Sequence, residues 1–275
     1  MTDGSITIDT GTSELLCVVR DRVAVITLNR PEARNSLSDH LTPALRRMIK
    51  QAGDDPEIGA VLITGAGTAF CSGGDVKGMG GKSASTVAPM SVDDKVARLR
   101  ERQRTLTGTL VSLRKPTIAA LPGSAAGAGL AIALACDIRI ASESTIMTTG
   151  YARIALTGDY GISWLLTRLA GTARARELMF LSEKIGARRC EALGLVNRVV
   201  PDADLRSEAF AMAKTLANGP GSAYAAIKDN LDLALSADFL TSLDHEAENM
   251  VAAASTAQHT EAVRAFIEKR APNFR

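Results

Sequence analysis

Cysteine and histidine are scarce in this chain of 275 residues. The four cysteines, Cys17, Cys71, Cys136 and Cys190, form no CxxC pair, and only His40, His245 and His259 accompany them, so no local set of zinc ligands exists. Reduced, buried thiols in a cytoplasmic protein are the plain expectation. Charge is balanced as well: 32 basic against 30 acidic residues leave a net +2, which implies neither a nucleic-acid nor an acidic-membrane partner. The densest basic run, RLRERQR at 98–104, is interrupted by Glu101, spreads around a helix and carries no aromatic residue. It reads as a solvated face.

Long apolar runs are missing. The longest, Ala125 to Cys136, is too short and too rich in Ala and Gly to span a bilayer. The N-terminal MTDGSITIDTG lacks the basic and apolar regions of a signal peptide. Three recognition motifs are absent too. Phe70 stands where GxGxxG needs its last glycine in Gly65–Phe70, no GKS or GKT triplet offers a P-loop, and no GxSxG offers a nucleophile elbow.

What is present is an ordinary globular composition, 46% hydrophobic and 23% charged, enough for one large domain or a core with an appendage. Leu15–Val19 and Val23–Leu28 are β-branched runs split by Arg20-Asp21-Arg22, a hairpin pattern. Ser38 is placed to cap a helix running to about Ala52, with Leu41, Leu45, Met48 and Ile49 on one face. Ala60–Ile63 reads as a buried strand followed by the loop GAGTAFCSGGD, and Asp75 as the cap of a brief helix through Met79. Residues 80–92 lack periodicity, as a loop over a site or a plain connector would. A long amphipathic helix is expected from Val92 to Leu113, then a strand at 117–121, a small-residue turn, a short helix at about 128–135 and strands at 138–141 and 146–148. Helices near 162–170 and 173–181 precede a strand at Val196–Val200, and every segment after Asp202 has a helical pattern. This is an α/β core over residues 1–200 closed by a helical segment, 201–275.

Two segments stand out for having so little side chain. In GSAAGAGLA (123–131), only Leu130 is bulky, and FCSGGD (70–75) is nearly as bare. Each lies between an expected strand and an expected helix, where amides are unpaired and the helix dipole adds positive potential. They suit close-packing turns. Equally, if they converge, two N–H groups can grip one developing oxyanion, each supplying roughly 3–4 kcal/mol of transition-state stabilisation.

A resemblance bears on that choice. NRPEARNSL (29–37), AVLITGAGTAFCSGGDVKGM (60–79), KPTIAALPGSAAGAGLAIALACDIRIAS (115–142), RIALTGDYGIS (153–163), EALGLVNRVVP (191–201) and AFIEKRAPNF (265–274) are similar, in order, to the landmarks of the crotonase (enoyl-CoA hydratase/isomerase) superfamily. The resemblance implies a spiral of ββα units with a helical C-terminal trimerisation region, and a homotrimer or a hexamer. It also implies an acyl-CoA thioester whose carbonyl lies between the amides of Gly74 and Ala128. Coenzyme A would enter as part of the substrate, with no other cofactor and no metal. By the same match, Ala33 and Arg34 lie near the adenine and phosphates, and Ser72, Gly73, Gly74, Asp75, Val76 and Lys77 along the pantetheine. Phe266 and Lys269 reach the nucleotide end, from the same or a neighbouring subunit. Arg34 and Lys269 also suit exposed charges, and Phe266 suits a core position.

The two glutamates of the family's hydratases are replaced here by Ala131 and Tyr151. A carboxylate appears instead at Asp159, which in some relatives, certain isomerases and a dehalogenase among them, is the acid/base or nucleophile. One carboxylate that takes a proton at one carbon and returns it at another suffices for double-bond isomerisation, whereas hydration also needs a positioned water. Isomerisation is therefore the expectation, ahead of hydration. Thioester or C–C hydrolysis on the same fold and a non-catalytic acyl-CoA binder are the alternatives. Asp159 also suits an N-cap for the helix near Ile162, Tyr151 a thioester contact or core filler, and Arg104 the surface.

Overall fold

The computed structural model describes residues 4–74 and 90–275. The expected brief helix at 75–79, and Asp75, Val76 and Lys77 with it, lie outside the described residues, as does most of the loop at 80–92.

The chain begins with β1 (Ile6–Ile8), then β2 (Leu15–Arg20) and β3 (Val23–Leu28), an antiparallel meander. Asp21 and Arg22 both take positive φ, 51° and 67°, in the two-residue turn that joins β2 to β3 with the twist a tight hairpin requires. Next come α1 (Leu41–Asp54), β4 (Ala60–Gly65) and β5 (Ala69–Cys71). The N-cap of α1 is His40 rather than the expected Ser38; Ser38 lies two residues ahead, its hydroxyl accepting from the amides of His40 and Leu41 in the turn that leads into the helix. The long helix expected over Val92–Leu113 is interrupted. It consists of α2 (Val92–Gln103), a π turn (Arg104–Gly108) and α3 (Thr109–Ser112). The π turn rotates Leu106 and Leu110 fully into the core, while α2 has no buried residue.

β6 (Thr117–Leu121), β7 (Ser124–Ala126), α4 (Ala128–Leu134), β8 (Ile138–Ser142), β9 (Ile146–Thr148) and α5 (Ile162–Leu181) follow. Gly171, at φ 79° and ψ 164°, breaks α5 into the two helices expected from sequence. The core closes with β10 (Ile185–Gly186), α6 (Ala187–Ala192) and β11 (Arg198–Val200). Four helices end the chain: α7 (Leu205–Ala217), α8 (Gly221–Ala234), α9 (Phe239–Ala254) and α10 (Ala257–Ile267).

The strands fall into two sheets, ordered β1-β2-β3-β4-β6-β8-β11 and β10-β9-β7-β5. In each turn of the spiral the first strand joins the large sheet (β4, β6, β8) and the second the small one (β5, β7, β9), all in parallel within their sheet. β4 and β6 are buried along their whole length, as the unbroken apolar sequences AVLITG and TIAAL demand of strands covered on both faces. The main core lies between the sheets and around α1, α4 and α5, and a second core lies between the large sheet and α7, through Leu205, Ala209, Ala213 and Ala217. This is the crotonase-type spiral of ββα units. α8 and α9 have no buried residue and display Ile227, Leu231, Phe239, Leu240, Met250 and Val251 to the exterior of the single chain. Among the described residues no helix is long and apolar enough to cross a membrane.

Candidate active site

Both small-residue loops contain a short strand that sequence periodicity does not reveal, and those strands decide the site. β5 and β7 are parallel neighbours, with Ala69 opposite Ser124 and Cys71 opposite Ala125. The segments that leave them, Ser72-Gly73-Gly74 and Gly127-Ala128, therefore emerge side by side at the same edge. Their backbones are in near contact. A methyl group on Gly73 would stand 2.8 Å from the Ala126 carbonyl oxygen and 3.4 Å from the Ala128 amide nitrogen. One on Gly129 would stand 2.4 Å from the Cys71 carbonyl oxygen. Glycine is required here because main chain meets main chain.

Gly127 holds φ 52° and ψ −126°, outside the range of other residues, and donates to the Thr148 carbonyl oxygen at 3.2 Å. This turn makes Ala128 the first residue of α4, where an amide has no intrahelical acceptor. The Gly73 carbonyl is taken up by the Leu37 amide at 2.8 Å. Neither the Gly74 nor the Ala128 N–H has an acceptor among the described residues.

The flanking loop that contains Ala33 and Arg34 is tied to the same edge. The Ser72 amide donates to the Arg34 carbonyl at 3.0 Å, and the Ser72 hydroxyl to the Ala33 carbonyl at 3.3 Å. Asn35, fully buried at φ 54°, is the brace. Its side-chain amide donates to the carbonyls of Ala66 (3.0 Å) and Ala69 (2.8 Å), and its side-chain oxygen accepts from the Arg30 amide (2.8 Å). Arg30 in turn donates to Ser36 and pairs with Glu14. Thus Ala33, Arg34, Ser72, Gly73, Gly74 and Ala128 are brought together. Phe266 and Lys269 are not: Phe266 lies exposed in the last turn of α10 and Lys269 is exposed two residues beyond its end, and no hydrogen bond joins them to these loops among the described residues.

Tyr151 and Asp159 meet beneath the Gly127 turn. The tyrosine ring lies where a methyl on Gly127 would be 3.8 Å from its hydroxyl, and that hydroxyl donates to Asp159 Oδ1 at 2.6 Å. The eight-residue spacing closes because Tyr151–Ile154 forms a 3-10 turn and Ala155, Gly158 and Tyr160 all take positive φ, folding the segment back on itself. Asp159 does not cap α5 with its side chain. Gly161 is the N-cap, and the contribution of Asp159 to the helix start is its main-chain carbonyl, which accepts from the Ile162 amide at 3.2 Å. Burial raises the pKa of the Asp159 carboxyl above the ordinary carboxylate range, and the Tyr151 hydrogen bond opposes that rise by favouring the anion. Burial, and then the bond to the acid, push the Tyr151 phenol far above its usual value, so it is a donor only.

Gln103 is a site residue that sequence gave no sign of. At the end of α2 its side-chain oxygen accepts from the Tyr160 amide at 2.6 Å and so clamps the Asp159 loop to the helix. Ala131 is fully buried inside α4, so no carboxylate enters from that position. Arg104 is exposed and lines, with Tyr160, Gly161, Trp164 and Leu165, a largely apolar cavity of about 550 Å³ beyond the loop. Among the described residues no cluster of three or more His, Cys, Asp or Glu side chains has the proximity of a metal site.

Residues 19–275 match the model of the enoyl-CoA hydratase/isomerase family. A probable enoyl-CoA hydratase of Rhodobacter capsulatus is 37% identical over 93% of this chain and 95% of its own length. The 1,2-epoxyphenylacetyl-CoA isomerase of Escherichia coli is 35% identical over 94% and 97%. The crystal structure of an enoyl-CoA hydratase from Polaromonas superposes with a TM-score of 0.86 at 33% identity, covering 95% of this chain and 99% of that one. With loops, fold and similarity in agreement over nearly its whole length, the chain belongs to the enoyl-CoA hydratase/isomerase family of the crotonase superfamily.

Proposed function

We propose that the protein binds an acyl-CoA thioester, receives its carbonyl oxygen between the amides of Gly74 and Ala128, and uses Asp159 to move a proton between two carbons of the acyl chain. The Asp159 carboxylate takes the α-proton while the C–H electrons pass into the thioester carbonyl, whose growing negative charge is met by the two N–H groups. With a 3-enoyl group the charge is shared with the γ-carbon. The acid formed on Asp159 then returns the proton there, and the double bond comes to rest in conjugation at the 2-position. Atoms and charge balance with no water consumed.

The observation that supports this reading is a half-buried carboxylate bonded to Tyr151, whose ring packs against the Gly127 turn, together with the Gly74 and Ala128 amides that have no acceptor among the described residues, and with Ala131 and Tyr151 at the positions that the resemblance assigns to the hydratase glutamates. Double-bond isomerisation is accordingly placed ahead of hydration. CoA needs no partner cofactor in this scheme, and Ala33, Arg34 and Ser72 sit where its pantetheine and nucleotide would run. Asp75, Val76, Lys77, Phe266 and Lys269 remain part of the proposed CoA contact, the last two from the same or a neighbouring subunit. The exposed apolar faces of α8 and α9 support assembly into a homotrimer or hexamer. We place the protein in the cytoplasm.

The test is product analysis with 2-enoyl, 3-enoyl and ring-containing CoA thioesters. Bond migration faster than water addition, lost in Asp159→Asn, is expected. Efficient hydration that survives Asp159→Asn would overturn the assignment.

A further inference from the structure

Tyr151 stands where hydratases of this family carry a glutamate, yet its phenol is not free to act as one. Its hydroxyl is committed to Asp159 Oδ1 at 2.6 Å, its ring is packed under Gly127, and only 7% of the residue is exposed. The bond has a directional consequence. A carboxylate has two oxygens, and fixing one with a short donor leaves the other as the proton acceptor and sets the plane in which it lies. The loop is held as well by Gln103, whose side-chain oxygen accepts from the amide of the next residue, Tyr160, and so ties the backbone beside Asp159 to α2.

The charged surroundings of Asp159 are sparse. Tyr151 comes from the 3-10 turn and Tyr160 is its chain neighbour, Arg46 of α1 and Arg102 of α2 act on Tyr160, and no Lys or Arg among the described residues pairs with the Asp159 carboxylate. The Tyr151 hydroxyl is thus the principal group that favours the ionised form against burial.

We infer that Tyr151 is a positioning residue for the proposed reaction: by binding one carboxylate oxygen of Asp159 it aims the other at the substrate. The inference rests on the assignment of Asp159 as the base. Deleting the hydroxyl should raise the pKa of the acid, so the acid limb of the rate profile moves to higher pH.

The experiment follows exchange of the α-protons of a saturated acyl-CoA with solvent deuterium, across pH, in the full-length protein. Tyr151→Phe is expected to move the acid limb up by about one unit and to lower the plateau rate about tenfold, with KM changed less than twofold. Because that variant leaves a half-buried acid without its donor, at a cost to stability, a second measurement that keeps the hydroxyl runs the other way. Replacing the three tyrosines by 3-fluorotyrosine, whose hydroxyl is the stronger donor, should move the acid limb down; it should still do so in a Tyr160→Phe background, where the Tyr151 ring remains, and should not do so in a Tyr151→Phe background. An acid limb unmoved by both changes overturns the inference, as does a uniform loss of rate with no change of profile. Retained exchange in Asp159→Asn overturns the underlying assignment instead, so the two failures are told apart.

Discussion

Gly73→Ala puts the proposed oxyanion site under the most direct test, because the structure fixes what the added methyl meets. At φ 87° a residue with a side chain pays roughly 1–2 kcal/mol for its backbone alone. The methyl would also lie 2.8 Å from the Ala126 carbonyl oxygen, inside normal contact. Ala126 cannot retreat, since its strand is paired with β9 through Ala126 and Thr148. Relief of such overpacking costs a further 1–3 kcal/mol or so, and it must come from movement of the Gly73–Gly74 peptide. About 3 kcal/mol corresponds to a fall in Tm of roughly 6–12 °C for a chain of this size. The peptide that moves carries the Gly74 N–H, and a lost oxyanion donor costs about 10²–10³ in kcat. Gly194→Ala supplies the comparison. There φ is 75° and the methyl would lie 3.1 Å from the Leu169 carbonyl oxygen, in a turn away from the site. Both variants should melt earlier by calorimetry, but only Gly73→Ala should lose α-proton exchange. If Gly73→Ala keeps kcat within threefold of the unaltered protein while losing stability as expected, carbonyl activation does not take place between these loops.

Asp159→Asn should abolish exchange and leave Tm at pH 7 no lower than before, because asparagine still accepts from Tyr151 and removes a charge that burial disfavours. The sign follows from linkage: a carboxyl whose folded pKa is raised binds more protons folded than unfolded, so it subtracts stability as pH rises through that pKa, and melting curves across pH will show whether the subtraction disappears. For the same reason the acid limb of the rate profile should lie above the ordinary carboxylate range. Asn35→Ala leaves the Arg30 amide and the Ala66 and Ala69 carbonyls without their partner. It should cost about 2–4 kcal/mol in chemical denaturation and raise KM for CoA thioesters more than it lowers kcat. The four cysteines are all buried, with the thiols of Cys71, Cys136 and Cys190 pushed up to about 12, so alkylation of the native protein should be slow and should accelerate only with unfolding.

Much of the scaffold is legible because its signals are local. The β2–β3 hairpin follows from two β-branched runs and a short polar break, β4 and β6 from unbroken apolar runs, and the break in α5 from Gly171 between two helical patterns. The interruption of the long helix after Gln103 is different. A π turn adds a residue to one helical turn without any proline or glycine signature at its start, and it is driven by tertiary burial of Leu106 and Leu110. Gln103 is the last residue of α2, directly ahead of that turn, and its bond to the Tyr160 amide, 57 residues on, is a tertiary contact that no local pattern in the sequence announces.

The two loops show where legibility stops and why. Their composition announces close backbone approach, since Gly and Ala leave room for little else, but composition names no partner. The partner is supplied by the pairing of β5 with β7, two three-residue strands with no alternation to detect, whose register is set by the longer strands β4 and β6 that precede them. Parallel pairing of those first strands forces the second strands to be parallel neighbours too, and so delivers Gly74 and Ala128 to one edge. Side-chain chemistry at the site depends on the same step: Tyr151 lies against Gly127 only because β9, which precedes it, is the next parallel strand after β7. The spiral repeat is thus the device that converts three separated strand ends, at Cys71, Ala126 and Thr148, into one site. A substitution that shifts the β7 register, which would break backbone contacts at Gly73, Gly127 and Gly129 together, should therefore cost the amide pair and the Tyr151–Asp159 pair at once rather than one after the other.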